Sequence, residues 1–202
     1  TADLSPAWPT GWSVLAWRAA QHSPIVDQRY ASSIERAIAW MLRVEGSIYE
    51  QIDLDGHDTS IKGWPWVEGT HAWVEPTAMN LLALRQCGYE QHARAREAAL
   101  LLLDRLLDTG GCNYGNTVVF GQALRPHLEP TGLCLLALAG EEDSSGKIKR
   151  SIEYLEREVD ERPQRLAIVT RAMDLVAAES QERWCNSTHD RARLLRRMTV
   201  VE

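Results

Sequence analysis

Two stretches of this chain, Pro76 to Leu84 and Pro130 to Leu138, are apolar on nearly every side when wound as a helix. A helix of that kind is enclosed by other protein. The stretches that follow them read differently. Ala95, Ala98, Ala99, Leu102 and Leu106 recur at helical spacing with Arg94, Arg96, Glu97, Asp104 and Arg105 between them, and Ile148, Ile152, Leu155 and Val159 repeat the pattern. These segments predict amphipathic helices with one dry and one wet face. Ile34, Ala37, Ile38 and Met41 make the same stripe earlier in the chain, with Trp40 as a bulky packing group. Each enclosed helix is therefore followed by an amphipathic one, which predicts a series of hairpins with inner and outer members.

The inner helices share a start signal. Pro is favoured at the first helical position, where its missing N–H costs nothing, and an acid just before it meets the positive end of the helix dipole. Glu75-Pro76-Thr77 and Glu129-Pro130-Thr131 both fit. Their glutamates are read as dipole-stabilising groups. Gly88 and Gly140 are expected to close these helices. Three segments align without a gap: PTGWSVLAW from Pro9, PTAMNLLAL from Pro76 and PTGLCLLAL from Pro130. The last two stand 54 residues apart, from 76 to 130, and the same shift carries Arg96 onto Arg150. A whole unit recurs, and repeats of this length signal stacked supersecondary units. A fourth, weaker unit is expected with Ala167 to Ala178 inner and Thr188 to Met198 outer. The expectation is one all-α domain over 1–202 of about four helical hairpins.

Composition narrows the function. Hydrophobic residues make up 45% of the 202, and no apolar run approaches a membrane span, so no transmembrane segment is expected. A formal charge of −6 argues against a nucleic-acid partner, which calls for a clustered basic face. Arg191, Arg193, Arg196 and Arg197 are read as the solvated face of a terminal helix. Cys87, Cys112, Cys134 and Cys185 show no paired spacing, which fits a reducing, cytoplasmic setting with cysteines acting as small hydrophobes. His22, His92 and His189 carry no detectable site. Trp8, Trp12, Trp17 and Trp40 fall at helix positions and are expected to pack.

The alternation of PT-x-x-x-L-L-A-L helices with amphipathic ones, joined by GGCNYGN at 110–116, resembles the α/α toroids of the terpenoid cyclases and protein prenyltransferases, including prenyltransferase and squalene-oxidase repeat proteins. The run from Gly56 to Leu84, GHDTSIKGWPWVEGTHAWVEPTAMNLLAL, resembles a bacterial branch of squalene-cyclase-like repeat proteins. The resemblance implies an α/α toroid around a central apolar cavity and an isoprenoid ligand, bound or converted. Because such rings close with about six hairpins, four imply a fragment or an incomplete ring lacking N-terminal repeats, whose open apolar flank predicts a homodimer as the other possibility. Fold alone does not separate this reading from a non-catalytic repeat scaffold binding a protein or a hydrophobic ligand.

The longest connection runs from Gly46 to Glu75, a length that usually carries function. It is expected to fold over one end of the helical array. Within it His57, Asp58, Glu68 and His71 are the candidates for proton transfer, since imidazole titrates near neutrality and a carboxylate can fix its tautomer. The competing reading of Asp53-Leu54-Asp55-Gly56-His57-Asp58 is a solvated acidic turn. It does not match the D-x-D-D acid of the cyclases. Trp64, Trp66, Trp73 and Tyr114 are candidates to present aromatic faces to a ligand, and Asn113 and Asn116 to present amides; the alternative for the tryptophans is a structural staple. The resemblance places a zinc set nearest Asp108, Cys112 and His127 or His71, but the spacing is not met. No metal and no cofactor are expected. Cys112 also stands where the repeat family carries an aromatic residue.

Overall fold

In the computed structural model, residues 9–21, 30–50 and 56–161 are described. The expected fourth hairpin and Trp8 lie outside them. Six helices follow in order: α1 (Pro9–Gln21), α2 (Ala31–Arg43), α3 (Val74–Gln86), α4 (Ala93–Arg105), α5 (Leu128–Ala137) and α6 (Lys147–Glu161). A small antiparallel hairpin, β1 (Val118–Val119) with β2 (Gln122–Ala123), interrupts the run before α5. The described residues are thus mostly helical, as the hydrophobic periodicity predicts.

The pairing follows the inner and outer reading. α1 packs on α2, α3 on α4 and α5 on α6, while α3 also packs on α1 at one side and α5 at the other. The start of α3 at Val74 and of α5 at Leu128, and of α4 at Ala93 and α6 at Lys147, preserve the 54-residue shift. Burial explains the two helix types. In α3, Met79, Leu81 and Leu84 are enclosed, and in α5 Leu133, Cys134 and Leu135 are, so each middle helix touches protein all round. At the end of α3, Gly88 adopts φ 80° while its N–H bonds to the Arg85 carbonyl and that of Tyr89 to Leu84. This is a Schellman closure, which requires the left-handed conformation glycine supplies. Gly140 also has a positive φ, but α5 ends a turn earlier, with Leu138 as its C-cap.

Each middle helix grips the loop before it through its threonine. Thr77 Oγ1 accepts the Trp64 N–H at 3.0 Å across 13 residues, and Thr131 Oγ1 accepts the Cys112 N–H at 2.9 Å across 19. Gly63 and Gly111 precede these residues, and a Cβ on Gly63 would come within 2.5 Å of Thr77 Oγ1. Gly63-Trp64 and Gly111-Cys112 are therefore equivalent positions. The second connection has room for the β1–β2 hairpin inside its extra length.

Two expectations are corrected. Arg94 and Arg105, read as wet-face residues of α4, are only 6% and 5% exposed. Both face the 56–73 stretch of the long connection, which lies along α4 and covers them. Trp12, expected to pack, is 48% exposed, whereas Trp17 is partly buried and stacks on Tyr30. His92 proves to have a role: its Nδ1 caps α4 by accepting the Arg94 N–H at 3.1 Å.

Candidate functional site

The 56–73 stretch of the long connection is tied down at both ends of α4. At its start, Arg94 donates through Nη1 to the Lys62 carbonyl and through Nη2 to the carbonyls of Val44 and Gly63, at 3.0 to 3.2 Å, and pairs with Glu97. Its guanidinium lies 4.1 Å from the centre of the Trp64 ring. At the other end, the Asp104 carboxylate accepts the Asp58 N–H at 3.1 Å, and Arg105 Nη1 donates to the Asp58 carbonyl at 3.2 Å and to Asp104. A short parallel bridge between Ser47 and His71 closes the strands of the connection on each other.

The result is a cleft of about 330 Å³ at the end where the middle helices begin. That is the lower end of the range for small-molecule sites. Ile61, Ala72 and Val118 supply apolar wall; His57, His71, Arg105 and Asn116 supply polar atoms, with Glu50 and Tyr49 at an exposed edge. Of the ten residues singled out from sequence, the structure brings three to this cleft: His57, His71 and Asn116.

His71 is the most unusual of them. Its ring leans on Trp73, with centroids 4.4 Å apart, and Tyr49 stands edge-on at 6.3 Å. Nε2 is buried and has no hydrogen-bond partner among the described residues. Burial, reinforced by the nearby Arg105 charge, lowers the imidazole pKa from its ordinary value. A neutral ring with an unengaged nitrogen is thus held on the cleft wall at neutral pH. His57 is anchored differently: Nδ1 lies 3.2 Å from Thr117 Oγ1, with the Thr117 N–H directed at it from 3.5 Å.

The remaining candidates are placed elsewhere. The Asp58 carboxylate does not orient His57; its Oδ1 accepts from Ser60 N at 2.8 Å and Ser60 Oγ at 2.6 Å. Those bonds hold its pKa below the ordinary carboxylate range, so Asp58 closes a turn and is not a proton donor near neutrality. Glu68 is exposed on the 67–70 turn, outside the cleft lining. Trp64 is fully buried, its Nε1 donates to the Met41 carbonyl at 3.0 Å, and Arg94 covers its face. It is a staple and presents no face to a ligand. Trp66 is half-buried and does not line the cleft. Trp73 stands behind His71 and against Gly115, where a Cβ would come within 2.9 Å of its ring. Asn113 shapes the turn, donating to the Arg125 carbonyl and accepting the Tyr114 N–H. Tyr114 packs on His127 with centroids 5.0 Å apart.

Asp108 pairs with Lys147 at the surface, and Cys112 is buried in the core, so the zinc counterpart does not assemble. Among the described residues no three of His, Cys, Asp and Glu converge as metal ligands. Nor is any described helix long and apolar enough to cross a membrane. Arg105 is the functional candidate that sequence reasoning missed. The only available signal was its distance of 11 residues from Arg94, about three helical turns, which puts both on one face of α4. No protein-family model matches this chain, and neither the curated proteins nor the solved structures contain a match to it.

Proposed function

We propose that this chain is an α/α-toroid repeat protein of the squalene-cyclase-like and prenyltransferase-like kind, and that the cleft receives the polar end of an isoprenoid or similarly apolar molecule. The hairpins α1–α2, α3–α4 and α5–α6 side by side, with α3 between α1 and α5, support the ring-forming part of the reading. The observation that carries the site is His71: an imidazole that lines the cleft with Ile61, Ala72 and Val118 and whose buried Nε2 has no hydrogen-bond partner among the described residues. Such a group binds a hydroxyl or takes up a proton at a reacting carbon. His57, bound to Thr117, lines the same cleft and is the second proton-handling group.

Organic extraction of the purified protein followed by mass spectrometry tests the reading. An isoprenoid or comparable apolar molecule is expected in the wild-type extract and is depleted in His71→Ala. An empty extract, together with no heat of binding on titration with geraniol and no change in cellular lipids in a His71→Ala strain, ends it.

A further inference from the structure

Arg94 and Arg105 lie on one face of α4 and are equally buried, yet their donors are used differently. Each leaves its buried Nε without a partner among the described residues, but Arg94 engages both terminal nitrogens with backbone carbonyls and lays its plane on Trp64. Arg105 bonds through Nη1 alone among the described residues, so that its Nη2 as well as its Nε has no acceptor there. The Nε and Nη2 edge of a guanidinium carries two parallel N–H donors, the arrangement that grips a carboxylate in two hydrogen bonds. In Arg105 that edge has no acceptor among the described residues, and the residue lines the cleft beside His71.

We infer that the cleft binds its ligand by a carboxylate, held on the Nε and Nη2 edge of Arg105 with His71 as the neighbouring contact. The inference rests on the proposed cleft function and names the head group of the ligand. Partial pairing is what makes the site selective. Asp104 and the Asp58 carbonyl satisfy Nη1 and position the guanidinium, while burial, which lowers its pKa from the ordinary value, takes water from the rest of the group, and an incoming negative charge would replace that water. Glu50 at the rim and the Asp104 carboxylate paired with Arg105 add negative field, which favours a head of single charge over a phosphate dianion. The apolar wall of Ile61, Ala72 and Val118 then receives the chain that carries the carboxylate.

Calorimetric titration at pH 7.5 with three probes sharing one hydrocarbon tail, geranic acid, geraniol and geranyl phosphate, decides it. Geranic acid is expected to bind about ten- to a hundredfold more tightly than geraniol, the range of a charge-assisted hydrogen-bonded pair. Arg105→Met removes that preference, and Arg105→Lys keeps only part of it because a single ammonium cannot form the fork. Should either variant fail to fold, the Arg105 Nε–H resonance of the wild-type protein gives the same answer: it moves downfield with geranic acid and not with geraniol. Equal binding of acid and alcohol with an unmoved resonance overturns the carboxylate assignment and leaves the apolar-ligand reading standing. Tighter binding of geranyl phosphate overturns the carboxylate in favour of a phosphate. No binding of any probe removes both readings.

Discussion

The two ends of α4 present the same residue in nearly the same burial and put it to opposite uses. At the Arg94 end the guanidinium meets three main-chain carbonyls, a carboxylate and an indole face, and every one of those partners belongs to the chain itself. At the Arg105 end the partners are one carbonyl and the adjacent Asp104, and the rest of the side chain borders a cleft. Burying a charge is costly unless hydrogen bonds and opposite charge replace its water. Where replacement is nearly complete, the arginine is a clasp that fixes a loop. Where it is partial, the deficit is available to a ligand.

The sharpest way to break this comparison is at Trp64. Trp64→Ala is expected to destabilise the fold by about 3–5 kcal/mol, the usual cost of emptying a buried aromatic site. Urea denaturation gives the value. Arg94→Met is expected to cost about 3 kcal/mol, because it strands the carbonyls of Val44 and Lys62, leaves that of Gly63 with the Gly46 N–H alone and uncovers the indole. The Trp64→Ala, Arg94→Met double variant should lose less than the sum, since each substitution already removes the stacking contact. Strict additivity would mean that the clasp and the staple act independently.

Arg105→Met sharpens the contrast from the other side. Its denaturation midpoint should fall by less than half as much as that of Arg94→Met, corresponding to about 1 kcal/mol for the bonds made through Nη1. An equal or larger fall would make Arg105 a second clasp. Thr77→Val and Thr131→Val test whether the loop grip is one repeated device. Each removes an acceptor for a buried N–H, and each is expected to cost about 1–2 kcal/mol. Very unequal losses would separate the two loops energetically.

The smallest effect is a pH dependence from His71. Its pKa is lowered in the folded state, first by burial and then by Arg105, so the unfolded chain takes up the proton more readily. The stability His71 contributes is full above the unfolded pKa of about 6.5 and is lost as pH falls through the lower folded value. His71→Gln should flatten that part of the profile in denaturation midpoints measured from pH 7.5 to 5. An unchanged slope would place the imidazole in water and remove its role on the cleft wall.

The helices were legible because apolar periodicity is a local property. Leu81, Leu84, Leu133 and Leu135 announce buried helices, and the Pro-Thr starts mark where they begin. The site was legible only in part. His57, His71 and Asn116 reach the cleft, while Asp58 and Glu68, equally polar and in the same connection, do not. Sequence gives no measure of which way a loop side chain turns when its neighbour offers a closer partner, as Ser60 does for Asp58.

Alone, the sequence determined the alternation of enclosed and amphipathic helices, the 54-residue repeat and the position of the long tryptophan-bearing connection, because each follows from residue spacing along one chain. The tertiary structure decided the burial of Arg94 and Arg105, the filling of Trp64 on its face and its N–H, and the meeting of His71 with Arg105. Those depend on one segment lying across another: the 56–73 stretch covers Arg94 and Arg105 of α4, and what it covers ceases to be a wet face. Burial of a charge is a property of the pair of surfaces, and neither surface carries it alone.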